Sequence, residues 1–164
     1  FQDSALFDDM TTLENVLFPI YEFRKDLSDE KRREIAKEKL KQVGLTDEHF
    51  NKLPSELSGG MRKRCGLARA IALDPDILLY DEPTTGLDPI WTEIVDNLIL
   101  NTHNHNEGST SIVISHDLHA AFRLGDHIAM LDSGKVLLQG APDVFFDSEI
   151  DLVKKFVSKG MKHK

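Results

Sequence analysis

Between Ser28 and Gly44 the apolar residues Ala36, Leu40 and Val43 recur at i, i+4 and i+7, with Lys, Arg and Glu filling most of the positions between. That spacing predicts a helix with one apolar stripe and a solvated charged face. Ser28 suits its N-cap, Asp29 and Glu30 lie where the helix dipole favours anions, and Gly44 supplies a C-terminal stop. To about residue 56 the chain reads as helical and polar. From residue 57 the pattern changes. A helix is expected from about Met61 to Leu73, ending near Asp74-Pro75 because a residue before proline is pushed out of helical geometry.

The continuous apolar run Ile77–Tyr80 predicts a short strand of the kind buried in parallel sheets. Trp91, Ile94, Val95, Leu98 and Ile99 mark a further amphipathic helix, and Thr110–Ser115, rich in β-branched residues, predicts a second strand. Strand, helix and strand in this order read as a βαβ unit with a parallel sheet and a right-handed crossover. Ile128–Leu131 and Lys135–Gln139, split by Asp132-Ser133-Gly134, read as a hairpin. Ala141-Pro142-Asp143 opens a short helix, and a Lys-rich amphipathic segment follows. The chain shows no internal repeat and no low-complexity tract.

Composition narrows the function classes. At 164 residues the chain has the length of roughly one domain. Its net charge of −8 disfavours nucleic acid as the main partner, since phosphate binding needs clustered Lys and Arg. The single cysteine, Cys65, excludes an internal disulfide, and its apolar neighbours predict a small buried hydrophobe. No run approaches the roughly 18 apolar residues needed to span a bilayer. The sequence opens Phe1-Gln2-Asp3 without Met, so residue 1 is not expected to be a natural start.

Three places carry candidate chemistry. Ser58-Gly59-Gly60 stands before a helix, where unpaired N–H groups and a hydroxyl can receive a phosphate; the same string also suits an ordinary capped loop. Asp81-Glu82 follows the first strand, so both carboxylates project from the sheet edge at which ligands bind in open α/β folds. One suits a hydrated Mg²⁺ and the other a water-activating base, and a surface turn ended by Pro83 is the alternative. His116, after the second strand, is either a donor to a terminal phosphate or a satisfied polar residue. His116-x-x-His119 and His103-x-His105 raise the question of a metal, but the second lies in an Asn/His-rich loop with no cysteine or acidic partner set, so a metal site is not expected. No stretch reads G-x-x-x-x-G-K-[ST], and Gly134-Lys135 and Lys159-Gly160 lack its other elements.

Taken in order, these strings resemble the ATPase domain of ABC transporters, an α/β, P-loop NTPase-like fold, over essentially the whole chain. Leu57-Ser58-Gly59-Gly60 is similar to the ABC signature, Ile77–Glu82 to the Walker B strand with its glutamate, Gly86-Leu87-Asp88 to the D-loop, and Ser115-His116-Asp117 to the H-switch. Gln2, ahead of Ala5-Leu6-Phe7 and Leu13-Glu14-Asn15-Val16, looks like the Q-loop glutamine. The resemblance implies ATP and Mg²⁺ as cofactors, with Asp81 positioning Mg²⁺ through water, Glu82 as general base and His116 sensing the γ-phosphate. It implies that Gln2 touches Mg²⁺ or the attacking water and reports to a transmembrane permease. It also implies a head-to-tail pairing with a second ATPase domain. There Ser58, Gly59 and Gly60 contact ATP on the partner and Asp88 lines the interface.

The chain is then expected to be one partial ABC ATPase domain, helical over about 8–56 and carrying part of the catalytic core over 57–164. With no P-loop it is expected to be inactive alone, and to aggregate or stay partly unfolded. Met61 after the glycines, Gly86-Leu87-Asp88-Pro89-Ile90, Phe1–Phe7 and Val153–Val157 resemble the ATPases of Mce/Mla-type phospholipid-trafficking systems. This implies a subunit peripheral to the cytoplasmic face of the bacterial inner membrane, with a lipid-binding accessory protein as a possible partner. Alternatives are another importer or exporter ATPase, or a non-catalytic module donating only the signature, against which Glu82 argues. An ATPase acting on ribosomes or DNA is disfavoured by the acidic balance. The Arg62-Lys63-Arg64 run reads mainly as a solvated face that also favours a nearby polyphosphate.

Overall fold

Helix α1 (Thr12–Phe23) begins at a reciprocal cap: the Thr11 hydroxyl accepts from the Glu14 N–H at 3.3 Å, and the Glu14 carboxylate accepts from the Thr11 N–H at 2.7 Å. Helix α2 (Asp29–Gln42) starts at Ser28, whose hydroxyl accepts from the Lys31 N–H. It stops through a Schellman motif. The N–H of Leu45 reaches the Leu40 carbonyl, that of Gly44 reaches Lys41, and Gly44 takes the left-handed φ of +72° that the turn requires. The predicted stripe is the buried one, with Ala36 and Leu40 fully covered.

Helix α3 (Gly59–Ala70) packs on α1 and α2, and the three share a core that includes Val16, Ile20, Leu40, Leu45, Cys65 and Ala68. Cys65 is fully buried, its Sγ lies 3.6 Å from the Thr12 carbonyl, and burial pushes its thiol pKa up to about 12. The helix starts two residues before the expected Met61 and ends at Ala70 rather than Leu73. After it the chain tightens into turns (Ala72 N–H to Arg69 O, Asp74 N–H to Ile71 O), and Asp74 takes a φ of +46° ahead of Pro75.

Strand β1 (Ile77–Asp81), helix α4 (Pro89–His105) and strand β2 (Thr110–Ile114) follow. β1 and β2 pair in a two-stranded sheet, and the Thr110 N–H donates to the Asp76 carbonyl at 2.7 Å. Paired strands whose first residues lie side by side run parallel, as the βαβ reading requires. The expectation of a strand buried on both faces does not hold. Leu78 and Tyr80 are buried, whereas Ile77 is 65% and Leu79 70% exposed, because side chains alternate and only one face of β1 is covered.

The structure, a computed structural model, describes residues 4–105 and 109–160, with side chains described for 4–101 and 109–158. It divides into two compact units, Phe1–Val113 and Ile114–Lys164. The second contains helix α5 (Leu118–Leu124), strands β3 (Ile128–Asp132) and β4 (Lys135–Gly140), and helices α6 (Pro142–Phe146) and α7 (Asp151–Gly160). β3 and β4 form the predicted hairpin, antiparallel, with a bulge after Met130. Its turn residues Ser133 and Gly134 both have positive φ, the requirement of a type I′ turn. The Phe122 ring stacks on Phe146 and meets Phe145 edge-on. Among the described residues no helix is long and apolar enough to cross a membrane.

Candidate functional site

Ser58 has extended backbone, and its hydroxyl accepts from the Met61 N–H at 3.2 Å. This places Gly59 and Gly60 in the first turn of α3, where helix geometry leaves N–H groups without intrahelical partners. Ser58 and Gly59 are exposed. The Arg62 guanidinium turns back along this turn and donates to the Leu57 carbonyl at 2.6 Å. A positive charge and a helix N-terminus therefore stand together, an arrangement suited to an anion.

β1 delivers the two carboxylates in succession. Asp81 is its exposed last residue, and Glu82 leaves the strand with a φ of +50°, left-handed geometry that a glutamate adopts at a cost. The turn after it is held by the Thr85 N–H on the Glu82 carbonyl and the Leu87 N–H on the Thr84 carbonyl, with Gly86 at φ +78°. The Thr85 hydroxyl donates to Glu82 Oε2 at 2.7 Å. Asp88 then caps α4, its Oδ1 accepting from the N–H groups of Ile90 and Trp91 at 3.1 and 3.2 Å. Pro89 opens that helix, at a position where a missing N–H costs nothing.

The first half of α3 packs directly on this loop. Lys63 Nζ donates to the Thr85 carbonyl. A Cβ built on Gly60 would lie 3.3 Å from Leu87 Cδ2. Arg64 is only 6% exposed; its guanidinium lies 3.5 Å from the Trp91 ring centroid and donates to the carbonyls of Val43 and Gly44 at 3.0 Å. Burial lowers the Arg64 pKa, and the charge of Asp88 works in the opposite direction. The expectation of a solvated Arg62-Lys63-Arg64 face is thus overturned. Three consecutive helical residues fan through about 200°, so they cannot all face water on a helix packed on two sides.

Ser58, Gly59 and Gly60 thus start the helix that packs on the loop from Glu82 to Asp88. His116 belongs to the second unit, where it is exposed and precedes Asp117, whose Oδ1 caps α5 through the His119 N–H at 2.8 Å. Gln2 lies outside the described residues, as do the side chains of His103 and His105. The segment after Gln2 is described, and it is tied to α3: Arg69 donates to the Ser4 and Ala5 carbonyls at 3.0 and 2.7 Å. The buried Asn15 bonds both the N–H and the carbonyl of Phe7. Sequence reasoning missed Lys63 and Thr85. The available signal was three adjacent cations on a helix needed for packing.

A family model described as "ABC transporter" matches residues 1–85, 85 of the 164. The chain is 44% identical over 158 residues to the glycine betaine/proline betaine transport ATP-binding protein ProV of Escherichia coli, covering 95% of this chain and 38% of ProV. It is 41% identical over 157 residues to the intermembrane phospholipid transport ATP-binding protein MlaF of Haemophilus influenzae, covering 96% and 58%. The chain thus spans about half the length of the curated relatives it matches. Among solved structures it is similar to the dimeric ATP-binding cassette MJ0796, in a post-hydrolysis state bound to ADP and Pi. That match has a TM-score of 0.78 and 37% identity, over 86% of this chain and 60% of that one. The family model covers more than half of the residues, and the signature, Walker B and D-loop strings lie together around one helix and one strand end: the chain belongs to the ABC transporter family.

Proposed function

We propose that the protein containing this chain is the ATP-hydrolysing subunit of a bacterial ABC transporter that moves phospholipid between membranes. One observation carries the ATPase reading. Two successive carboxylates, Asp81 and Glu82, leave the end of β1 in a loop packed on the helix whose first turn is Ser58-Gly59-Gly60. A single exposed carboxylate such as Asp81 fits Mg²⁺, which keeps several waters and takes one or two carboxylates beside substrate phosphates. Bound with ATP, Mg²⁺ neutralises charge on the phosphates.

Glu82, held by the Thr85 hydroxyl, takes the proton of the attacking water, a role that contributes roughly 10²–10⁴-fold. Ser58, Gly59 and Gly60 present hydroxyl and N–H donors to ATP on a second ATPase domain, and Asp88 lines the interface between the two. His116 donates to the γ-phosphate. Gln2 contacts Mg²⁺ or the water and reports to a transmembrane permease. In this reading residues 8–56 form a helical subdomain and 57–164 part of the catalytic core. The subunit sits peripherally on the cytoplasmic face of the inner membrane, with no nucleic-acid partner.

Phospholipid as the cargo is supported by the likeness to MlaF, while the likeness to ProV supports betaine uptake. The test is the full-length protein with its permease in vesicles. ATP-dependent transfer of a labelled phospholipid to acceptor vesicles is expected. Betaine uptake without lipid transfer would reassign the cargo, and absence of ATP hydrolysis would overturn the ATPase reading itself.

A further inference from the structure

Lys63 and Thr85 form a connection that the roles above leave unused. Lys63, half-buried on α3, places its ammonium on the Thr85 carbonyl. The same Thr85 sends its hydroxyl to Glu82 Oε2 at 2.7 Å and its N–H to the Glu82 carbonyl at 3.3 Å. One residue further along α3, Arg64 grips the far end of the loop through Trp91. Two consecutive side chains of this helix therefore hold both ends of the Thr85–Trp91 segment, and the connection ends on a carboxylate oxygen rather than on backbone alone.

Resting on the ATPase reading, we infer that Lys63 and Thr85 are positioning residues that let Glu82 read the placement of its own chain's signature helix. The first turn of α3 serves the nucleotide on the partner domain, and Glu82 serves the nucleotide on its own chain. A shift of α3 on engaging the partner's ATP moves Lys63, hence Thr85, hence the carboxylate. The base of one site is thereby set by engagement at the other. Packing alone would need neither the Lys63 ammonium nor the Thr85 hydroxyl, since apolar side chains of similar volume fill the same space.

The test uses the full-length protein with Thr85→Val, Thr85→Ser and Lys63→Met. For each, kcat and KM for ATP are measured and, without nucleotide, the backbone amide NMR shift of Glu82 is followed at one fixed pH. Loss of the hydroxyl donor loosens the carboxylate without touching ATP binding, so Thr85→Val should lower kcat about tenfold and leave KM for ATP unchanged. Thr85→Ser should restore kcat, and Lys63→Met should lower kcat by a smaller factor, again with KM unchanged. An unchanged kcat in Thr85→Val, a Thr85→Ser as impaired as Thr85→Val, or a Lys63→Met indistinguishable from wild type would overturn the inference. A wild type that does not hydrolyse ATP would overturn the ATPase reading, while the Glu82 amide shift, moved by Thr85→Val and not by Thr85→Ser, still decides the connection between Thr85 and Glu82.

Discussion

The α1–α3 helices and the β1–β2 sheet use similar apolar residues with opposite results. In the helices Val16, Ile20, Ala36 and Leu40 are fully buried, and the caps at Thr11, Ser28 and Ser58 are satisfied within the same elements. In the sheet, Ile77 and Leu79 on β1 and Ile112 on β2 stand largely in solvent. An amphipathic helix needs one neighbour to cover its stripe. A strand rich in apolar residues on both sides needs cover on both. The helices therefore form a self-sufficient core, and the sheet that positions Asp81 and Glu82 depends on cover for its second face.

The sharpest way to break this contrast is a truncation in the helical core. Leu40→Ala should cost about 2–5 kcal/mol in denaturant unfolding, because it removes a fully buried side chain from a three-helix contact. A change below about 1 kcal/mol would show the helical core to be loose. Next comes Gly44→Ala. Its Cβ would lie 2.3 Å from Trp91 Cζ3 at a backbone φ of +72°, so crowding and strain together should cost about 2–4 kcal/mol. Trp91, the only tryptophan in the chain, should report the displacement as a shifted emission maximum.

Thr11→Ala should cost about 1 kcal/mol through loss of the α1 cap, measured in the same way. The Glu14 carboxylate is held below the ordinary glutamate range chiefly by the Thr11 N–H and then by its hydroxyl. A lowered folded-state pKa means that its contribution is present at neutral pH and fades as pH falls through that lowered value. Thr11→Ala removes the hydroxyl but keeps the N–H, so the acid side of the stability curve should flatten only in part. At the small end, Leu79→Ser should shift unfolding of the 164-residue chain by no more than about 0.5 kcal/mol, because that side chain is 70% exposed. It should reduce self-association, and light scattering from the two chains tests this.

Helix periods and local signals made α2, α3 and α4 legible, because Ser28, Gly44 and Pro75 act on neighbours a few residues away. The hairpin was legible for the same reason, through Ser133-Gly134. By contrast, α1 was covered only by the reading of residues up to about 56 as helical, and its cap at Thr11 went unread. Which face of β1 finds cover was not legible, since the run Ile77–Tyr80 reads alike whether one face is packed or both. The signature, Walker B and D-loop strings marked the candidate site. Its internal wiring stayed hidden, because Lys63 to Thr85 and Arg64 to Trp91 join residues more than 20 apart in sequence. The end of α3 was misplaced by three residues because turns after Ala70 continue an apolar pattern without helical bonding.

Glu82 is the residue on which the proposed ATPase most directly depends, and single-turnover hydrolysis by the full-length protein with Glu82→Gln tests its role. The substitution keeps the size of the side chain and removes its proton-accepting charge. Bound ATP should persist while turnover falls by roughly 10²–10⁴-fold. Hydrolysis at the wild-type rate would contradict the assignment of Glu82 as the base.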